Sequence, residues 1–461
     1  MFIDPDTSAE TPVKFKFEYD SDENAFGFRN EQNMFVSFNQ GSSIDISDTT
    51  ATSNTVLSGY VFYNSNEERT IGSYIPLDTS DATATKYEIN WPYTAYVNGV
   101  KIKGVVGRPD PGTVKYSGYI EPFPFFASQM YGASFGDYGL FFGGSYSNQQ
   151  NMNPTSGYLD TVYSFDVNLT RSTLTPLSEK TYRCPADTVG DYLLILHDAS
   201  QVVDTYNTSL VKSTAPSITY KGLEGTHGSN SSYAVFGGAR GAYPNESTYY
   251  TNLDAYNASL TKFVAPELSF TSYNAYGTSI NEYILLPPGS KYNGSGWNHS
   301  NIISVYDSTL TKSEINLSSP NRTVNGAISI INYALFPGGV NNSNRYNNLD
   351  AYNASLTKTS TTLPNAVNNC GPATVNDKEI ALFGGGYTTN IYFDIVQQCD
   401  RNLTTSIISD TLSTNNLMMQ SSCTVGKYAL FGMGNTAYDY SYGTVYPVDI
   451  DVFYYETYED T

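Results

Sequence analysis

"NLDAYNASLTK" occurs twice in this chain, letter for letter, at Asn252–Lys262 and again at Asn348–Lys358. An identity of that length within 461 residues is a duplication, so the sequence is read first for its period. Diverged copies surround the two identical ones: "SFDVNLTRS", "TYNTSLVKS", "VYDSTLTKS" and "QCDRNLTTS". Their aligned leucines are Leu169, Leu210, Leu260, Leu310, Leu356 and Leu403, spaced 41 to 50 residues apart. Upstream of each lies a second, apolar signature: "GLFFGG", "YLLILHD", "YAVFGG", "YILLPPG", "YALFPGG" and "IALFGGG", with a seventh, "YALFGMG", near the C-terminus.

Each unit reads as four short strands. A two-residue turn pair precedes the apolar run, as at Gly136-Asp137, Gly190-Asp191, Asn281-Glu282 and Gly426-Lys427, and joins strands A and B in a tight hairpin. Strand B ends at a Gly pair, a variable loop follows, then strand C ("LDAYN"), an Asn-centred turn and strand D ("LTK"). Four strands per repeat of this length predict β-propeller blades stacked around a channel. The last unit lacks the Leu-Thr-Lys signature, whereas "TVKYSGYIEPF" (Thr113–Phe123) reads as a strand D with no strand C before it. The strand near Thr113 is therefore expected to complete the seventh blade and remove two exposed edges.

Composition agrees with an all-β chain: 41 Tyr, 37 Gly, many Asn, Ser and Thr, and only 15% charged residues. Net charge is −20, from 44 acidic and 24 basic residues, which disfavours nucleic acid and anionic membrane as partners. No apolar run reaches membrane-spanning length, and the N-terminal stretch carries no pattern for classical secretion. Cys184, Cys370, Cys399 and Cys423 show no CxxC spacing and are expected as reduced thiols in small core sites. The Asn-x-Ser/Thr sequons at Asn168, Asn207, Asn257, Asn353 and Asn402 are mostly copies of one turn.

The Phe-Gly-Gly end of strand B with a downstream aromatic resembles the Kelch class of propeller over roughly residues 110–461, without the Kelch Trp. Residues 1–45, acidic with scattered Phe, read as a small β element or attachment region. Residues 46–108 hold two related segments forming a neck, and Asn98-Gly99 marks a type I′ hairpin within the second. That segment, "TAYVNGVKIKGVV", resembles short repeats of tail and fibre proteins from phages of Gram-positive bacteria. The resemblance implies a virion protein, exposed on tail or capsid, joined to other virion proteins through its N-terminal region. A homo-oligomer would suit a fibre, although no heptad stretch specifies three chains. The propeller is expected to span residues 109–461.

The chemistry-bearing residues point away from an enzyme, a metal and a cofactor. His197, His227 and His299 fall in separate repeats with no ligand spacing, and the plain reading is loop histidines exposed to water. A copper oxidase of the Kelch fold would need paired histidines near Cys399 and Tyr392, and none stands there. Of Asp160, Asp166, Asp204, Asp254, Asp307 and Asp350, most are expected at equivalent positions in the C strands, which argues for bonding a neighbouring turn or facing solvent rather than glycosidase work.

The B–C loops are more telling. They differ in length and collect aromatics, with Tyr146, Tyr243, Tyr249, Tyr292, Trp297, Tyr346, Tyr387 and Tyr438 as candidate ligand-binding residues. B–C loops and D–A connections emerge on one face, so this face is expected to carry Tyr, Trp, Asn and Ser suited to sugar rings. The resulting expectation is adhesion to a host-surface glycan or receptor. The alternative is an intracellular Kelch-type protein–protein interaction module, and a carbohydrate-active or copper-oxidase enzyme ranks third.

Overall fold

The computed structural model describes residues 113–456 apart from 121–126, 129, 147–156, 182–183, 198–199, 220, 242–246, 389–390, 414–416, 419–420, 433–434 and 437–448. Before residue 113 it describes 17–20, 25–29, 35–37, 61–63, 69–71, 94–97, 100–103 and five single positions. The chain divides into two compact units, Met1–Asp110 and Pro111–Thr461. In the first, Phe17–Asp20, Ala25–Arg29 and Phe35–Ser37 form a three-stranded antiparallel sheet. Two hairpins follow, Val61–Tyr63 with Arg69–Ile71 and Thr94–Val97 with Val100–Lys103. The second hairpin pairs Val97 with Val100 across the Asn98-Gly99 dipeptide.

The second unit is a seven-bladed β-propeller of four-stranded antiparallel sheets. The third blade shows the pattern: A, Thr226–Ser229; B, Tyr233–Gly237; C, Leu253–Asn257; D, Lys262–Ala265, paired in that order. Strand A is innermost, and the seven A strands are Tyr131–Phe135, Ala186–Val189, Thr226–Ser229, Thr278–Ile280, Ile328–Ile330, Gly371–Val375 and Ser421–Val425. They are rich in Gly, Ala, Ser and Thr because seven wedge tips converge there. A Cβ on Gly132 would collide with the Ser422 backbone, and one on Gly277 with the His227 carbonyl.

The ring closes with chain from both ends. In the seventh blade Ile450–Glu456 pairs with Thr113–Ile120, so the strand ahead of the first blade serves as the outer strand of the last. The register slips between Val452 and Phe453, where Gly118 takes φ 105°, a conformation that only glycine adopts at little cost. Val114 sinks into a cluster with Val375, Leu382, Ile408 and Phe453, so the closing strand packs against the sixth blade as well as its own. One core cluster fills each space between neighbouring blades, as the third–fourth pair shows with Val235, Leu253, Ile284 and Tyr306.

The duplicated segment is a latch between blades. In strand C, Asp254 and Tyr256 lie two residues apart and so point to the same face. Asp254 accepts from Thr219 N (2.6 Å) and Oγ1 (2.9 Å), and the Tyr256 hydroxyl donates to Pro216 O (2.7 Å); both partners follow strand D of the preceding blade. Lys262 Nζ reaches Ser217 O at 2.8 Å. The second copy repeats this: Asp350 takes Ser318 N (2.7 Å) and Oγ (2.5 Å), Tyr352 donates to Asn316 O, and Lys358 reaches Asn316 O at 3.1 Å. Asp204, Ser304, Gln397 and Asp451 accept at the corresponding place in other blades.

Strand D begins one turn later than the sequence predicts. Leu260 and Thr261 belong to the C–D turn, in which Asn257 Oδ1 accepts from Ser259 N (3.0 Å) and Thr261 N (2.9 Å). Leu260 N bonds Asn257 O at 2.8 Å, and the leucine sits in the left-handed region at φ 57°. The same holds for Leu169, Leu210, Leu310, Leu356 and Leu403. A β-pattern reading misses this, because left-handed backbone costs a leucine about 1–2 kcal/mol. Each of these leucines recovers apolar contact by packing against a core cluster between blades.

Candidate functional site

The B–C loops and the D–A connections share one face, and two aromatic groupings lie on it. The first joins the third and fourth blades. Trp297 stacks on Tyr273 (6.2 Å between centroids, 11° between planes), Tyr273 meets Tyr249 edge-on (5.9 Å), and Tyr292 tilts against Trp297 (5.4 Å). Tyr292 is 47% exposed and Trp297 38%, while Tyr249 is half-buried. Tyr292 and Trp297 face each other across the hairpin Ser290–Tyr292/Trp297–His299. Tyr273, in a D–A connection, is a member that the B–C loop pattern misses. An array of this kind offers flat apolar surface with hydroxyl and indole donors at its edges.

The second grouping disposes of its tyrosine internally. The Arg345 guanidinium lies 4.9 Å over the Tyr387 ring and donates to its hydroxyl at 3.2 Å, and Asn368 Nδ2 reaches the same oxygen at 3.3 Å. Tyr346 is half-buried next to this pair. Tyr146 forms a strand pair with Gly157, and Tyr243 and Tyr438 lie outside the described residues. Of the eight candidates, Tyr249, Tyr292 and Trp297 come together.

The axis of the ring is a cavity of about 790 Å³ lined by the A strands of all seven blades. Much of the lining is Gly, Ala, Ser and Thr, and a cluster of larger polar side chains stands at the D–A end. His227 Nδ1 lies 3.1 Å from Asp187 Oδ2, and its Nε2 lies 2.7 Å from the Tyr131 hydroxyl. Asp187 also accepts from Ser229 Oγ and from Thr188 N at 2.9 Å. A carboxylate accepts only, so Nδ1 carries the imidazole proton and the Tyr131 hydroxyl donates to Nε2. Tyr276, from the fourth blade, meets Tyr131 edge-on at 5.6 Å and lies tilted against His227 at 5.7 Å. Burial first, then Tyr276 and Asp187, hold the Tyr131 phenol well above its ordinary pKa, so it stays protonated.

The histidines correct the expectation of water-exposed loop residues. His197 is 3% exposed at the end of strand B, its Nε2 2.8 Å from Asp204 Oδ2. His227 is half-buried in an A strand. His299 is half-buried, with Nδ1 3.0 Å from Thr323 Oγ1, and burial lowers its pKa. Each has an intramolecular partner, which sequence spacing alone does not reveal.

The carboxylates split into two sets. Asp204, Asp254 and Asp350 are buried latch residues, whereas Asp166 and Asp307 cap C–D turns through Oδ1. Burial raises Asp204 and Asp350, but bonds from His197 and Ser178, and from Ser318, Ser360 and Arg322, outweigh it and hold both below the usual range. All four cysteines are free and buried, and burial pushes Cys370 and Cys399 up to about 12. Among the described residues no group of three or more His, Cys, Asp or Glu could hold a metal ion. No helix among them is long and apolar enough to cross a membrane.

No family model matches the chain, and no curated protein matches it. Among solved structures it is similar to a catalytically inactive variant of virginiamycin B lyase from Staphylococcus aureus with quinupristin. The TM-score is 0.49 at 9% identity, over 75% of this chain and 99% of that one. The propeller is defined by its own seven sheets.

Proposed function

We propose that this protein is a noncatalytic adhesin that binds a cell-surface glycan through the aromatic array of the third and fourth blades. The observation that carries the reading is the exposed pair Tyr292 and Trp297, backed by Tyr273 and Tyr249. A sugar ring presents an apolar face to such rings and hydroxyls to their polar edges, and rigid aromatics lose little entropy on binding. Asp204, Asp254 and Asp350 are committed to latches, which favours binding over glycosidase chemistry. The Kelch-like repeat signature suits the same role.

The fibre-like segment "TAYVNGVKIKGVV" supports placing the protein on the exposed surface of a phage virion, on tail or capsid. There many weak contacts would add to useful avidity. A glycan array probed with the full chain and with Trp297→Ala and Tyr292→Ala tests the binding claim. The expected result is selective binding that either variant lowers at least tenfold while remaining folded. Absence of glycan binding, or binding indifferent to both substitutions, refutes it. Antibody labelling of intact particles tests the location.

A further inference from the structure

The axial cavity holds a constellation that the rim does not use. At about 790 Å³ it falls in the size range of small-molecule sites. Around its D–A end the donors are spent within the protein. The Tyr131 hydroxyl faces His227, His227 faces Asp187, and Ser229 donates to Asp187. Asn325 Nδ2 donates to Asn274 O, and Ser421 Oγ donates to Met130 O.

What these groups leave over is acceptor capacity, and the part of it open to the cavity is the Asp187 carboxylate. Asn325 is 3% exposed, lines the cavity, and its Oδ1 has no hydrogen-bond partner. Asp187 brings a formal negative charge whose side chain is still 21% exposed. Tyr131 and Tyr276, both lining the cavity, bring aromatic rings 5.6 Å apart and nearly perpendicular. At the other end the A–B turns add Asp137 and Asp377 against Lys378.

A partly exposed carboxylate beside aromatic faces attracts a cation. We propose that the channel is a second binding site, independent of the rim, for a small organic ammonium cation. Its N–H groups are held by the exposed part of the Asp187 carboxylate, and its carbon skeleton lies against Tyr131 and Tyr276. A phosphate or carboxylate ligand would meet Asp187 as a like charge, and a neutral polyol would gain no charge attraction.

Calorimetric titration of the full chain with 1,4-diaminobutane tests this, with butane-1,4-diol as the neutral counterpart of equal length. Salt at 0.15 M screens diffuse attraction to the acidic surface. The expected result is one saturable site per chain, at least tenfold preference for the diamine, and at least tenfold weaker binding by Asp187→Asn. If Asp187→Asn fails to fold, Tyr276→Leu is expected to weaken the diamine by a similar factor. Trp297→Ala should leave diamine affinity unchanged, which separates failure here from failure of the glycan reading. No saturable binding at millimolar diamine, equal affinity for the diol, or indifference to the cavity substitution that folds would each overturn the proposal.

Discussion

Removing the strand ahead of the first blade should cost far more than its length suggests. Thr113–Ile120 supplies the outer ladder of the seventh blade, paired at seven positions with Ile450–Glu456. Val114, 7% exposed, is lost from the core between the sixth and seventh blades, worth about 1.5–3 kcal/mol. The Tyr116–Phe453 ring pair, at 5.3 Å, adds about 0.5–1.5 kcal/mol. Asp451, 2% exposed, loses the Tyr116 hydroxyl at 2.9 Å, which costs about 1–3 kcal/mol for a buried group. The combined loss is on the order of 5 kcal/mol, comparable to the whole stability of many domains. It also uncovers a strand edge that invites self-association. Chains beginning at Pro111 and at Ser128 can be compared by urea denaturation and size-exclusion chromatography. The shorter chain should unfold at markedly lower urea and self-associate, and a peptide of residues 111–123 added in trans should restore the midpoint. Equal midpoints with a monomeric short chain would show that the ring does not depend on this closure.

Other consequences concern the latches and turns. Arg322 and Asp350 form an ion pair with neither side chain exposed, and Arg322 also donates to Gly338 O and Ser318 O. Arg322→Met should therefore destabilise by about 3–5 kcal/mol in urea melts. Leu260→Ala keeps the left-handed backbone and loses packing, whereas Leu260→Gly relieves the strain, so the glycine variant should be the more stable of the two despite having the smaller side chain, by up to about 1–2 kcal/mol. Burial raises the pKa of Asp451, which Tyr116 and Ser413 only partly offset. Its contribution to stability is thus full below the unfolded carboxylate value and lost as pH rises through the folded one. Asp451→Asn keeps an acceptor for both partners and should raise the melting temperature at pH 7 but not at pH 3. The lowered carboxylates Asp204 and Asp350 act oppositely, stabilising above the unfolded value and losing that stabilisation as pH falls through their folded values.

The architecture was legible because the chain repeats itself. Identical turns at Asn257 and Asn353, the Gly ends of the B strands and an unpartnered strand near Thr113 together determine blades, order and closure. The left-handed leucines were not legible, since nothing in "NASLTK" distinguishes a leucine beginning a strand from one ending a turn. The channel cluster was hidden for a different reason. Tyr131, Asp187, His227 and Tyr276 come from four blades and converge only when the ring closes, so no sequence spacing connects them. One signal was present. In innermost strands rich in Gly, Ala, Ser and Thr, with Val, Ile and Phe among their other members, a Tyr, an Asp and a His stand out as large or charged polar groups at the crowded axis.

The latch aspartate is replaced by Gln397 in the sixth blade, and by a shorter residue at the junction of the third and fourth blades. There the latch position holds Ser304 in place of an aspartate. It accepts only Ser269 N at 3.2 Å, while Ser269 Oγ turns instead to Glu314 and Lys312. The flanking latches each take two bonds to a buried carboxylate. This more weakly latched junction is the one spanned by the Tyr249–Tyr273–Trp297 contacts, with Tyr273 in the connection itself. Stacked rings contribute about 0.5–1.5 kcal/mol per pair, enough to replace one missing hydrogen bond. The aromatics at the rim therefore hold two blades together as well as presenting a surface. Repetition supplies the frame, and at this junction, where the latch falls to one hydrogen bond, aromatic side chains supply the remaining contact.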